Sequence, residues 1–128
     1  MIELKDVLNI HNILIDKFGG IKAVRDFGFL ESALARPFAT FDNKFLYPSP
    51  SDKAAAILES VLINHPFVDG NKRTAYVFMK LILFEYGLDV EATQDEKYEM
   101  VVASSMGDMR FDDIKAWMDS RLKKKIGL

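Results

Sequence analysis

A chain of 128 residues with 17 Lys plus Arg against 19 Asp plus Glu carries a formal net charge of −2, which argues against a dedicated nucleic-acid binder with its basic footprint. Apolar residues at 49%, aromatics at 12% and only seven Gly and four Pro exclude disorder and repeat arrays and predict one compact domain over 1–128 with a proper core. Zero Cys and two His exclude a disulfide framework, a thiolate zinc site and a His-rich metal cage.

The opening MIELKDVLNIHN scatters Glu3, Lys5 and Asp6 among its apolar residues, where a secretion signal needs an unbroken apolar stretch. No segment approaches the ~20 apolar residues of a membrane span. The expectation is a soluble cytoplasmic protein that contacts neither membrane nor nucleic acid directly.

Residues 3–18 place Leu4, Val7, Leu8, His11, Leu14, Ile15 and Phe18 at three- and four-residue intervals, and Gly19-Gly20 supplies a stop, which predicts a first helix. His11 on its apolar face reads as a packing residue rather than a ligand. A shorter helix over 29–35 ends before Pro37, which disfavours helical geometry at Arg36. Residues 38–47 set two aromatic-rich arms around Asp42-Asn43, residues that tolerate positive φ, so a small β-hairpin is predicted.

Pro48-Ser49-Pro50-Ser51-Asp52 offers a cap for an Ala-rich helix over 52–64, closed by His65-Pro66. The next helix runs from Asn71 to about Tyr86. Its apolar run Ala75 to Phe84 predicts burial on most sides and makes it the expected central pillar. Thr93-Gln94-Asp95-Glu96 matches a capping box and opens a helix to about Ser105, with Tyr98, Val101 and Val102 expected to face inward. A last helix over about 110–124 is expected to bury Ile114, Trp117, Met118 and Leu122. Lys123 to Lys125 read as its solvated end.

Chemistry concentrates in His65-Pro66-Phe67-Val68-Asp69-Gly70-Asn71-Lys72-Arg73-Thr74, the connection between the two most apolar helices. Pro66 takes His65 out of helical geometry and fixes its imidazole on a turn. Phe67 is an apolar plug, and Gly70 can adopt a strained turn. Beyond it, the first amides of the next helix lack intrahelical partners and sit at the positive end of its dipole, an anion site that Lys72 and Arg73 reinforce with full charges. Asp69 would repel a phosphate directly, a conflict that a hard Mg²⁺ bridging carboxylate and phosphates resolves. His65 can accept a proton from an incoming hydroxyl. Neither a Walker A loop nor a G-x-G-x-x-G fingerprint is present.

HPFVDGNKRTA resembles the signature loop of Fic-domain proteins, H-x-F-x-[DE]-G-N-G-R-x-x-R, and in particular the Doc (death-on-curing) toxin branch. The similarity extends to Gly19-Gly20, Leu30-Glu31-Ser32-Ala33-Leu34-Ala35-Arg36-Pro37, Leu46-Tyr47-Pro48 and Trp117. The resemblance implies an all-α fold, a bundle of about six helices with a small β-hairpin flap over the loop; the hairpin itself reads either as a surface ornament or as an exposed strand edge that registers a target segment by main-chain pairing. It implies His65 as general base on a Ser, Thr or Tyr hydroxyl, Asp69 as the Mg²⁺ ligand, and Gly70, Asn71, Lys72 and Arg73 around the phosphates of ATP.

Two departures bear on the reaction. Lys72 stands where adenylylating members commonly have Gly, and Tyr76 replaces the final Arg. Doc-like members share both features and bind ATP reversed, transferring its γ-phosphate, whereas Gly70 leans toward the adenylylating pattern. The resemblance therefore implies a phosphotransferase toxin, with adenylyl transfer or a non-catalytic nucleotide-binding module as alternatives. Elongation factor Tu is the target it suggests. The inhibitory motif [ST]-x-x-x-E-[GN] is absent from the sequence, so restraint is expected from a separate Phd-like antitoxin that folds on binding.

Overall fold

The computed structural model describes residues 2–125, and its architecture follows from which helices have both capped ends and satisfied polar groups. Helix α1 (Leu4–Phe18) ends where Gly19 N–H bonds Ile15 O at 2.7 Å. Helix α2 (Phe27–Ala35) begins at Asp26, whose side chain accepts from Phe29 N, two residues earlier than the apolar pattern suggested. It passes into a single 3-10 turn at Arg36–Phe38 and then the hairpin of β1 (Thr40–Phe41) and β2 (Lys44–Phe45). The predicted turn is present: Asp42 and Asn43 both take positive φ, 53° and 60°, the pairing that two-residue hairpins favour. The arms are shorter than the aromatic pattern implied because Pro37 holds its neighbours in the 3-10 turn.

Helix α3 (Pro50–Asn64) carries a full capping box between Ser49 and Asp52. Helix α4 (Asn71–Glu85) follows, then β3 (Leu88–Val90), α5 (Gln94–Ser105) with the predicted Thr93 and Glu96 box, and α6 (Phe111–Asp119). The fold is all-α in character, six helices with two small two-stranded antiparallel sheets among the described residues, of which only β1–β2 is a hairpin.

Three expectations are corrected. The central pillar is α3, not α4: eleven of the 15 residues of α3 are buried against seven of 15 in α4, and α3 packs on α2, α4, α5 and α6. The apolar run of α4 leaves Tyr76, Val77, Leu81 and Phe84 only partly covered, whereas α3 buries even Lys53 and Glu59 because each finds partners. Lys53 Nζ donates to the Tyr47 carbonyl and lies 3.9 Å from the Phe45 ring centre, so the hairpin's second arm is clamped onto α3.

The last helix stops at Asp119 rather than running to about 124. Leu122–Lys124 forms strand β4, paired antiparallel with β3 in the register Val90 to Leu122 and Leu88 to Lys124. The lysines at 123–125 are exposed, but Lys123 and Lys124 lie on a strand and Lys125 just past it rather than at a helix end. Tyr98, expected to face inward, is 70% exposed, while Val101 beside it is buried.

No helix among the described residues is long and apolar enough to cross a membrane.

Candidate functional site

The His65 to Thr74 connection links the C-terminus of α3 to the N-terminus of α4. His65 is the C-cap of α3 and takes the left-handed conformation, φ 47° and ψ 61°, with its N–H on Val61 O. A non-glycine residue there is uncommon and costs about 1–2 kcal/mol. It is held by an arginine that the sequence pattern did not single out. Arg25 Nε donates to His65 O at 2.7 Å, a second guanidinium nitrogen donates to Asn64 O, and Arg25 N donates to Pro66 O at 2.7 Å. The carbonyls that α3 leaves open at its end are thus closed by a cation, the favourable sign at a helix C-terminus.

The rest of the loop is pinned from the same side. Phe67 is buried as predicted, pairs with Val24, and is followed by Val68 N donating to Ala23 O at 3.0 Å. Asp69 Oδ2 accepts from Ile21 N at 2.8 Å. Gly20 makes this approach possible: a Cβ at Gly20 would come within 3.0 Å of Asp69 Cβ and 2.9 Å of Ile15 Cδ1, at φ +120°. The Gly19-Gly20 pair therefore does more than stop α1. Asn71, buried, closes its amide on the Phe67 backbone, Oδ1 accepting from N at 3.0 Å and Nδ2 donating to O at 2.9 Å.

With the backbone fixed, the side chains divide. The imidazole of His65 is exposed, and its shortest approach is Nδ1 to Asn71 Nδ2 at 3.5 Å, the outer limit of a hydrogen bond. Asp69 is half-buried. Lys72 and Arg73 are exposed in the first turn of α4, with the Arg73 guanidinium carbon 4.3 Å from the Phe18 ring centre. Gly70 is the N-cap of α4 at φ 78°, and a Cβ there would press within 3.1 Å of Ile15 Cδ1. All six predicted site residues border one cleft of about 620 Å³, within the usual range for a small-molecule site.

The opposite wall of that cleft was not foreseen. Helix α5 supplies Gln94, Lys97, Tyr98, Val101 and Val102, and α4 adds Tyr76. No short-range pattern announces it, because the two walls come from helices whose proximity is tertiary. Tyr76 has a buried hydroxyl with no hydrogen-bond partner among the described residues. Burial, reinforced by the Asp89 carboxylate, pushes its phenol up to about 12, so it stays neutral and cannot serve as a base near neutral pH.

A phenol that ionises later when folded than when unfolded loses the protein stability as pH rises from about 10 to about 12. Tyr76→Phe is therefore expected to stabilise the fold by about 1 kcal/mol at neutral pH, by removing an unsatisfied hydroxyl, and to weaken the alkaline loss. Urea unfolding at pH 7 and pH 10.5 checks both; a destabilised variant with an unchanged alkaline limb would contradict this account.

Among the described residues no group of three His, Asp or Glu gathers that could hold a metal by itself. At Asp69, Oδ2 is taken by Ile21 N–H, while Oδ1 has no hydrogen bond among the described residues. One hard oxygen beside an anion site suits Mg²⁺, which keeps few protein ligands and takes the rest from phosphates and water.

Comparison with known proteins gives a consistent result. The family model described as Fic/DOC family matches residues 1–83. A protein named Toxin Doc from Mycolicibacterium smegmatis is 44% identical over 94 residues, covering 73% of this chain and 70% of that protein. Proteins named protein adenylyltransferase fic-1 from Caenorhabditis elegans and Caenorhabditis briggsae are 35% and 34% identical over 74 residues, 54% of this chain in each case. The chain spans only 14% of the length of either nematode protein.

Proposed function

Because the chain belongs to the Fic/DOC family, we propose that it is a Doc-type toxin, a transferase that moves the γ-phosphate of Mg-ATP onto a Ser or Thr hydroxyl of a target protein. The observation that carries this reading is the placement of a free imidazole, His65, beside the open amides of α4 on one rigidly pinned loop. In the reaction the acceptor oxygen attacks the γ-phosphorus as the bond to the β–γ bridging oxygen breaks. ADP leaves, and the hydroxyl proton passes to His65.

The amides of Gly70 to Arg73 and the charges of Lys72 and Arg73 hold phosphate oxygens. Asn71 acts by shaping the loop through its grip on Phe67. Asp69 would hold Mg²⁺, which when bound neutralises phosphate charge.

The alternative transfer, of AMP with release of pyrophosphate, has the support of the fic-1 relatives' names and of Gly70. The second support is weak: a left-handed N-cap with Ile15 Cδ1 against the missing Cβ requires glycine for backbone reasons alone. Lys72 places an ammonium where adenylylating members have no side chain, which favours the terminal-phosphate reading. The hairpin's exposed Phe41 and Phe45 flank a strand edge suited to pairing with a target segment. Elongation factor Tu is the first target to test, and a separate Phd-like antitoxin is the expected restraint. Incubation with elongation factor Tu and ATP labelled at the α or the γ position is expected to leave label on the target from the γ position only. Retention from the α position alone would overturn phosphotransfer.

A further inference from the structure

The two histidines of the chain have different surroundings. His65 is exposed, whereas His11 on α1 is 2% exposed and takes no part in the chemistry described so far. Its ring stacks on Phe67 with centroids 3.9 Å apart and planes 10° from parallel. Its Nε2 lies 2.8 Å from the carbonyl oxygen of Asp69, 58 positions along the chain. A carbonyl can only accept, so Nε2 carries the proton and donates.

That single bond fixes the Asp69 to Gly70 peptide. The unit is trans, and in a trans peptide the C=O and the following N–H point in opposite directions. With the Asp69 carbonyl drawn inward to His11, the Gly70 N–H is turned away from α1. It makes no hydrogen bond to the described residues, and Gly70 borders the cleft. Gly70 itself packs against α1, where a Cβ would come within 3.1 Å of Ile15 Cδ1 and in ordinary contact with His11 Nε2.

We propose that His11 is a positioning residue for the nucleotide site: by holding the Asp69 carbonyl it aims the Gly70 amide into the cleft, making that N–H the leading phosphate donor at the mouth of α4. The inference rests on the nucleotide-binding reading above and adds to it the residue that orients its first donor.

The test uses two variants and the backbone amide resonance of Gly70 followed by NMR during titration with Mg-ATP. His11→Phe keeps an aromatic ring on Phe67 but removes the donor. His11→Gln gives up the stack and keeps an N–H at similar reach. In the wild type the Gly70 resonance is expected to move on ATP addition. His11→Phe should weaken binding about tenfold, the usual loss of one hydrogen bond to a charged group, and abolish the Gly70 response. His11→Gln should stay within about threefold of wild type. A merely structural role would lower the melting temperature of both variants and leave the Gly70 response in place, which would overturn the proposal, as would unchanged affinity in His11→Phe.

A wild type whose Gly70 ignores ATP would defeat the nucleotide reading, and inorganic pyrophosphate then decides the positioning claim separately. A Gly70 response to pyrophosphate in wild type and His11→Gln but not in His11→Phe would uphold it. No response in the wild type, or the same response in all three, would refute it.

Discussion

Replacement of His65 by Ala is expected to reduce transfer to the target by 10²–10⁴-fold, the usual contribution of a positioned general base, while nucleotide affinity changes little. The expectation follows from what the ring touches. It is exposed and has no hydrogen bond shorter than the 3.5 Å approach to Asn71, so its removal opens no cavity and strands no buried partner. The one structural cost is the backbone: residue 65 sits at φ 47°, a strain that His65 already bears and that Ala tolerates somewhat less well than His or Asn, a difference below about 1 kcal/mol. His65→Asn should therefore lose transfer to a similar extent with a melting temperature closer to wild type. Growth inhibition on expression and transfer of labelled phosphate in vitro are the two readouts. A His65→Ala protein that still arrests growth would contradict catalysis and favour a module that acts by holding nucleotide or partner without turnover.

Arg36→Ala is expected to cost about 3–5 kcal/mol of stability, far more than most single arginine replacements. Glu59 sits in the middle of α3 with its side chain only 7% exposed. Arg36 Nη1 donates to its Oε1 at 2.9 Å and also reaches Ser60 Oγ and the Ala56 carbonyl, while Arg36 Nε donates to the Tyr47 hydroxyl at 3.0 Å. Removing the guanidinium leaves a buried carboxylate whose other partner, Arg110 at 3.2 Å, is 65% exposed, and an uncompensated buried charge is what makes such deletions severe.

The melting temperature should fall by roughly 10–20 °C. Arg110→Ala should cost about 1 kcal/mol at most, because an exposed partner contributes little. The double change Arg36→Leu with Glu59→Leu should be milder than Arg36→Ala alone, since it removes the orphaned charge. Thermal denaturation of the three proteins decides the matter; equal losses for Arg36→Ala and Arg110→Ala would show that Glu59 does not depend on Arg36.

The network also carries a functional consequence. Tyr47 lies two residues past the hairpin's second arm, and it is gripped twice, through its hydroxyl by Arg36 and through its carbonyl by Lys53. The proposed target-registering edge is thus tied to the pillar that also carries His65 at its end.

Legibility in the sequence tracked the range of the interactions involved. The Thr93 capping box, the Asp42-Asn43 turn and the loop from His65 into α4 are set by neighbours a few residues apart, and each stands where the pattern put it; the cap sought within Pro48 to Asp52 proves to be Ser49, so α3 starts at Pro50 rather than at 52. The β3 and β4 pairing escaped notice because each strand has three residues and the partners lie more than 30 positions apart. In isolation Leu122–Lys124 continues the apolar spacing of α6.

The pillar was misassigned for a related reason. An uninterrupted apolar run marks α4, but burial of α3 depends on partners for Lys53 and Glu59 that come from Tyr47, Arg36 and Arg110. Within the site, residue types pointed to His65 and Asp69, while nothing local pointed to Arg25 or His11. Their partners are Asn64 and His65 in one case and the Asp69 carbonyl in the other, reached only when α1 and the following loop fold over the connection.

The central claim is that the amides opening α4 receive the terminal phosphates of a nucleotide next to His65. A crystal structure determined with Mg-ATP tests it most directly. The account predicts phosphate oxygens on the Gly70 to Arg73 backbone, with His65 facing the γ-phosphate. Nucleotide bound elsewhere with that mouth empty, or seated there with its α-phosphate toward His65, would contradict the account, the first in full and the second in its assignment of the transferred group.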